Sequence, residues 1–158
     1  MKALTLWQPW ASLIAIGAKR YETRSWPAPK SLPPGSLLAI HAAQRCPPQL
    51  SAEMTLRVCQ TLFILSSADD RTIRSLPRGS VLAICRFLGC WRTEELQPTP
   101  HQRLMGDWTP GRFAWELDVV IDCGGREVPA KGRQGLWEWE PPAWLARELV
   151  TRASGAVQ

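Results

Sequence analysis

The sequence predicts an α+β domain: a mixed sheet of about six strands, curled toward a small barrel, with helices flanking it. Three observations carry this. Strand-like and helical segments follow one another without the regular alternation that builds a parallel sheet. The strand-like segments are mostly short and set off by Gly and Pro turns. The chain has 158 residues, 45% of them apolar and 21% charged, a composition that supports one core and excludes collagen, a coiled coil or a wholly disordered chain. No linker divides it, so residues 1–150 are expected to form a single domain and residues 151–158 a flexible tail.

The elements follow in order. Lys2 to Leu6 alternates polar and apolar residues and reads as a short strand. Pro9 suits a first helical position, Trp10 to Ile16 runs as an apolar helix, and Gly17 can close it. Lys19 to Arg24 has strand character, which predicts Arg20, Glu22 and Arg24 on one face and Lys19, Tyr21 and Thr23 on the other. Pro27, Pro29, Pro33 and Pro34 make the next stretch a stiff connection. A near repeat comes next: Leu32 to Ile40 (LPPGSLLAI) and Leu76 to Ile84 (LPRGSVLAI) share seven of nine residues. Each reads as a Gly turn launching a buried strand.

Between the two copies, Leu50, Met54, Val58, Leu62 and Leu65 recur at helical intervals, and residues 66–75 read as a polar loop. The second repeat strand is expected to continue to Trp91 across an interruption at Gly89. Thr93 to Leu96 then opens a short helix, and residues 98–106 form a loop that leaves His101 on the surface. Arg112 to Cys123 reads as a strand, with Phe113, Trp115, Leu117, Val119 and Ile121 in one row. A last strand, Gly135 to Trp139, precedes a helix over Pro142 to Val150.

Composition bears on partners. Nine of the 13 aromatic residues are Trp, and 15 of the 19 basic residues are Arg. Arg offers a planar donor fork suited to phosphate, and Trp a face on which a base can stack. The formal net charge is +5, with +6 on residues 1–79 and −1 on the rest, an asymmetry that favours a polyanion without establishing one. The five cysteines are scattered, with no CxxC pair and two histidines in the chain. Reduced, mostly buried thiols are expected, with no metal and no cofactor. The sequence shows neither an apolar run long enough for a membrane helix nor a secretory leader, so a cytoplasmic protein is expected.

The densest signal lies at the front: Gln8-Pro9-Trp10, then Gly17 to Arg24 (GAKRYETR), then Ile40-His41-Ala42-Ala43. A GxKxxExR segment after a short apolar helix, preceded by QPW and followed by a strand ending in His-Ala, resembles the ASCH domain family of the PUA-like superfold. Gly106-Asp107-Trp108, Gly111 to Trp115 and Lys131 to Trp137 resemble further blocks of its small bacterial and phage members. The resemblance implies a compact barrel with a cleft around GxKxxExR and a role in binding RNA or nucleotides. It also implies relatives that hydrolyse acetylated cytidine or cleave RNA.

The residues themselves suggest roles. Lys19 and Arg24 are candidates for phosphate or a base carbonyl, and Glu22 can orient Arg24 or move a proton. Gln8, Trp10 and His41 are candidates to shape the pocket by hydrogen bonding, stacking and proton exchange. Arg112, Lys131, Arg133 and Gln134 extend a candidate RNA track, beside Trp108, Trp115 and Trp137, of which Trp115 is expected in the core. If the chain is a hydrolase, Lys19 and Glu22 are the candidate catalytic pair. The Lys-x-x-Thr-x-Arg pattern of the amidohydrolase relatives, however, places Glu22 where the nucleophilic threonine stands, and Thr23 should face away. RNA or nucleotide binding is therefore the first expectation, a hydrolase of modified nucleosides or RNA the second, and a protein-interaction module the third.

Overall fold

The computed structural model describes residues 1–45, 75–123, 126 and 128–155, with side chains to 152. The helix expected over 48–65, the loop after it, Cys46 and Cys59 lie outside the described residues. The strands are β1 (Lys2–Leu6), β2 (Tyr21–Arg24), β3 (Leu37–Ala42), β4 (Ser80–Arg92), β5 (Phe113–Asp122) and β6 (Leu136–Glu138). The helices are α1 (Trp10–Ala15), α2 (Pro100–Leu104) and α3 (Ala143–Gly155), with a 3-10 turn at Thr93–Glu95. The strands form one curled mixed sheet in the order β2-β5-β4-β3-β1-β6. β1 and β3 are parallel and the other neighbours antiparallel.

Both copies of the near repeat do what their sequence predicts. Gly35 and Gly79 take φ of 90° and 64°, a region open to Gly without steric cost, and each turn leads into a strand, β3 and β4. The sheet buries both faces. Leu38 and Ile40 pack with Leu4, Leu6, Ile14 and Trp115 on the α1 side. Ala39, between them in sequence, packs with Val81, Ile84, Trp137 and Leu145 on the α3 side. Alternation along β3 thus feeds two cores. Cys85 and Cys123 are buried and unpaired, and burial pushes their thiols up to about 12 and about 11.

Four local expectations are corrected. Lys19 and Arg20 precede β2, which begins at Tyr21, so strand alternation does not govern Lys19. Residues 100–104, expected in a loop, form α2, whose N-cap Thr99 accepts a hydrogen bond from the Gln102 amide. The row of β5 is broken by a register shift against β4 between Ile84 and Cys85. Such a bulge reverses the side-chain phase, and Ile121 joins the α3-side core while Trp115 and Leu117 stay on the α1 side. Finally, α3 runs through Gly155 rather than ending at Val150. Its extra turn is held by Thr151 Oγ1 donating to Arg147 O and by Arg152 donating to Glu148 and Val120 O.

Candidate nucleic-acid interface

The GxKxxExR segment is built around a buried ammonium. Gly17, at φ 76°, ends α1, and the chain turns so that Lys19 points inward, 2% exposed. Lys19 Nζ donates to Tyr21 O at 2.6 Å and to Met105 O at 2.5 Å, and lies 3.3 Å from Glu22 Oε2. Three acceptors use its three donors. Burial pushes the ammonium below the usual lysine range, against the pull of the Glu22 carboxylate. The Trp10 ring centroid is 5.7 Å away.

From this point the charges run outward along β2. Glu22, also buried, turns its other oxygen to Arg24 Nη1 at 3.5 Å. The Arg24 side chain is 25% exposed, and its guanidinium lies 5.2 Å from the Trp26 ring. Ammonium, carboxylate and guanidinium therefore stand in a line from the core to the surface, and Arg24 is the member that reaches solvent.

The sheet register extends the line sideways. Arg24 pairs with Phe113 on β5, and Phe113 pairs with Arg92 on β4. In-register neighbours share a face, so two arginines flank one aromatic ring, their backbones roughly 10 Å apart across two strand spacings. The Arg92 guanidinium lies 5.0 Å from the Phe113 ring, with Glu94 Oε1 3.5 Å from its Nε. Sequence reasoning missed Arg92. A fold prediction that paired β4 with β5 in this register would have found it.

The other candidates divide. Gln8 is buried and committed to backbone: Nε2 donates to Pro77 O at 2.6 Å, and Oε1 accepts from the Ser12 amide at 3.1 Å. Trp10 is half-buried against Leu13 and Met105. Thr23 does face away from Glu22, its Oγ1 accepting from the Asp107 amide at 2.9 Å. Arg112 stands beside Phe113, 3.2 Å from Asp107 Oδ2.

His41 is on the other side of the sheet. It is 1% exposed, its Nε2 is 2.9 Å from Ala130 O, and the Trp137 ring meets it edge-on at 5.7 Å. Since a carbonyl only accepts, Nε2 carries the proton, and Nδ1 is left buried without a partner among the described residues. Burial lowers the imidazole below its usual value. Gly132 packs directly against the ring: a Cβ there would collide with His41 Cε1 and Nδ1. Lys131, Arg133 and Gln134, in the same loop, are exposed. They lead into β6, at the opposite edge of the sheet from β2, so His41 and this basic loop do not join the Arg24 row.

A cavity of about 470 Å³ lies between α1 and the ends of β4 and β5, lined by Ser12, Arg78, Ser80, Leu82, Asp122 and Arg126 among others; Lys19, Glu22 and Arg24 do not line it. Among the described residues, no helix is long and apolar enough to cross a membrane.

Activating signal cointegrator 1 of Mus musculus is 31% identical over 94 residues, 60% of this chain and 15% of that protein's length. The chain thus corresponds to a small part of that relative. A mutant ZmASCH protein from Zymomonas mobilis, solved by crystallography, aligns over 95% of this chain and 96% of its own at 13% identity, with a TM-score of 0.42. The family model described as the ASCH domain matches residues 4–123, leaving the Lys131 to Trp137 block outside the match. That match takes in the helix, the GxKxxExR segment and both near-repeat strands, and the chain belongs to the ASCH domain family.

Proposed function

We propose that this ASCH domain binds RNA through the row Arg24–Phe113–Arg92, with the buried Lys19–Glu22 pair behind it as its support. The carrying observation is that Arg24 and Arg92 flank one ring in strand register, while Trp26 stands beside Arg24. Guanidinium forks suit phosphate oxygens and aromatic faces suit unpaired bases. Glu22, held by Lys19 from behind, restrains Arg24 so that less side-chain freedom is lost when it meets an anion. Arg112 adjoins this row, and Lys131, Arg133 and Gln134 form a second basic contact where a longer strand crosses the sheet.

The division of labour changes which variant is informative. Lys19 supports the site from inside, so Arg24 and Arg92 are the residues to remove. Arg24→Ala or Arg92→Ala is expected to weaken binding of a single-stranded RNA by about 1.5–3 kcal/mol, the worth of a charged hydrogen bond, with an unchanged thermal melt. Arg147→Ala, on the exposed face of α3, serves as the control and should leave affinity unaltered. Fluorescence anisotropy with a labelled oligonucleotide reads both; wild-type affinity in Arg24→Ala and Arg92→Ala alike removes the interface.

A further inference from the structure

The cavity beside α1 has no part in the row just described, yet its walls are built from the residues that the QPW segment fixes. Gln8 Nε2 holds Pro77 O, Gly79 N donates to Ala42 O, and Ala130 N donates to Gly79 O. The turn carrying Arg78 is thus pinned on both sides by backbone bonds. Gln8 Oε1 also accepts from the amide of Ser12, which lines the cavity. In the near repeat, Arg78 stands where the first copy has Pro34. It is the one non-apolar exchange between the two turns.

Arg78 brings a positive charge to the lining, and a guanidinium fork suits the oxygens of an anion. Arg126 adds a second positive charge to the lining, its guanidinium 5.1 Å from the Trp144 ring and 3.7 Å from Glu148 Oε2. The lining also carries the Asp122 carboxylate and the apolar Ala15, Ile16 and Leu82. A volume of about 470 Å³ falls in the range of small-molecule sites, and charged, hydroxyl and apolar walls together suit one nucleotide better than a bare anion.

We propose that this cavity binds a single nucleotide, with its phosphate on Arg78 and its base against the apolar wall. The choice of a nucleotide rests on the nucleic-acid reading above; the site itself rests on Arg78 and the cavity. The ligand is either a free mononucleotide or the phosphorylated end of an RNA.

Calorimetric titration of the full chain tests this with the four ribonucleoside monophosphates, their nucleosides and inorganic phosphate. At least one monophosphate is expected to bind tenfold or more tighter than its nucleoside and than inorganic phosphate. Arg78→Ala should reduce that affinity at least tenfold. Ile16→Trp, at a position 53% exposed on the cavity's rim, should block it without disturbing the melt. Competition by a short RNA only when it carries a terminal phosphate identifies the RNA end as the source; competition by neither RNA identifies the free nucleotide. Absence of monophosphate binding at millimolar concentration overturns the proposal, as does affinity indifferent to both variants or inorganic phosphate binding equally tightly. RNA affinity that depends on Arg24 without any monophosphate binding would remove the cavity site and keep the interface. Monophosphate binding through Arg78, with RNA affinity indifferent to Arg24 and Arg92, would remove the interface and keep the cavity site.

Discussion

Lys19 and Glu22 are a charge pair taken out of water, and a buried pair is most costly when half of it is missing. Lys19→Met takes the buried donor from Glu22 Oε2 and from two backbone carbonyls, leaving the carboxylate only Arg24 at its other oxygen. The expected loss is about 3–5 kcal/mol, read from urea unfolding. Lys19→Met combined with Glu22→Gln should recover part of it, because no buried carboxylate lacking its inner partner then remains; a double variant no more stable than Lys19→Met contradicts this view of the pair. His41 yields a pH dependence. Its folded-state affinity for a proton is lowered by burial, so below its usual value of about 6.5 the unfolded chain takes up more protons and stability falls. Stability should therefore decline as pH drops from about 6.5 toward 5, and His41→Gln should flatten the decline. The charged residues of the line were legible in the sequence by type and spacing. Which of them meets solvent was not, because Lys19 sits in a turn whose direction is set by Gly17 and by the distant Met105 carbonyl.

At the scale of elements, β1, α1, β3, β4, β5 and β6 stand close to where Gly and Pro signals and alternation place them. The departures have local causes. α2 is five residues long and carries no apolar stripe, so periodicity cannot reveal it. The bulge that turns Ile121 to the other core belongs to the pairing of β4 with β5, not to either strand alone. The loop over His41 depends on a residue without a side chain. In Gly132→Ala the new methyl would strike a ring that is itself buried, so the loop must lift. A loss of about 1–3 kcal/mol is expected, with faster amide exchange at Ala130 and its neighbours. Wild-type stability in this variant would show that the loop is not seated on the ring.

For the whole molecule, the sheet order decides what one ligand can touch. β2 lies at one edge, and β3, carrying His41, is three strands away with His41 on the opposite face from Arg24. The QPW, GxKxxExR and His-Ala segments, adjacent in sequence, therefore serve different ends: Gln8 braces the Arg78 turn, Lys19 and Glu22 support Arg24, and His41 seats the basic loop. None of this separation is readable from spacing, since it arises from long-range strand order. The proposed row requires that Arg24 and Arg92 meet RNA phosphates. It is tested most directly by the salt dependence of single-stranded RNA affinity in the wild type and in the Arg24→Ala/Arg92→Ala variant. Each phosphate contact contributes a slope of about −0.7 in log affinity against log salt, so the variant's slope should be shallower by roughly 1.4. Equal slopes in the two proteins would contradict the claim.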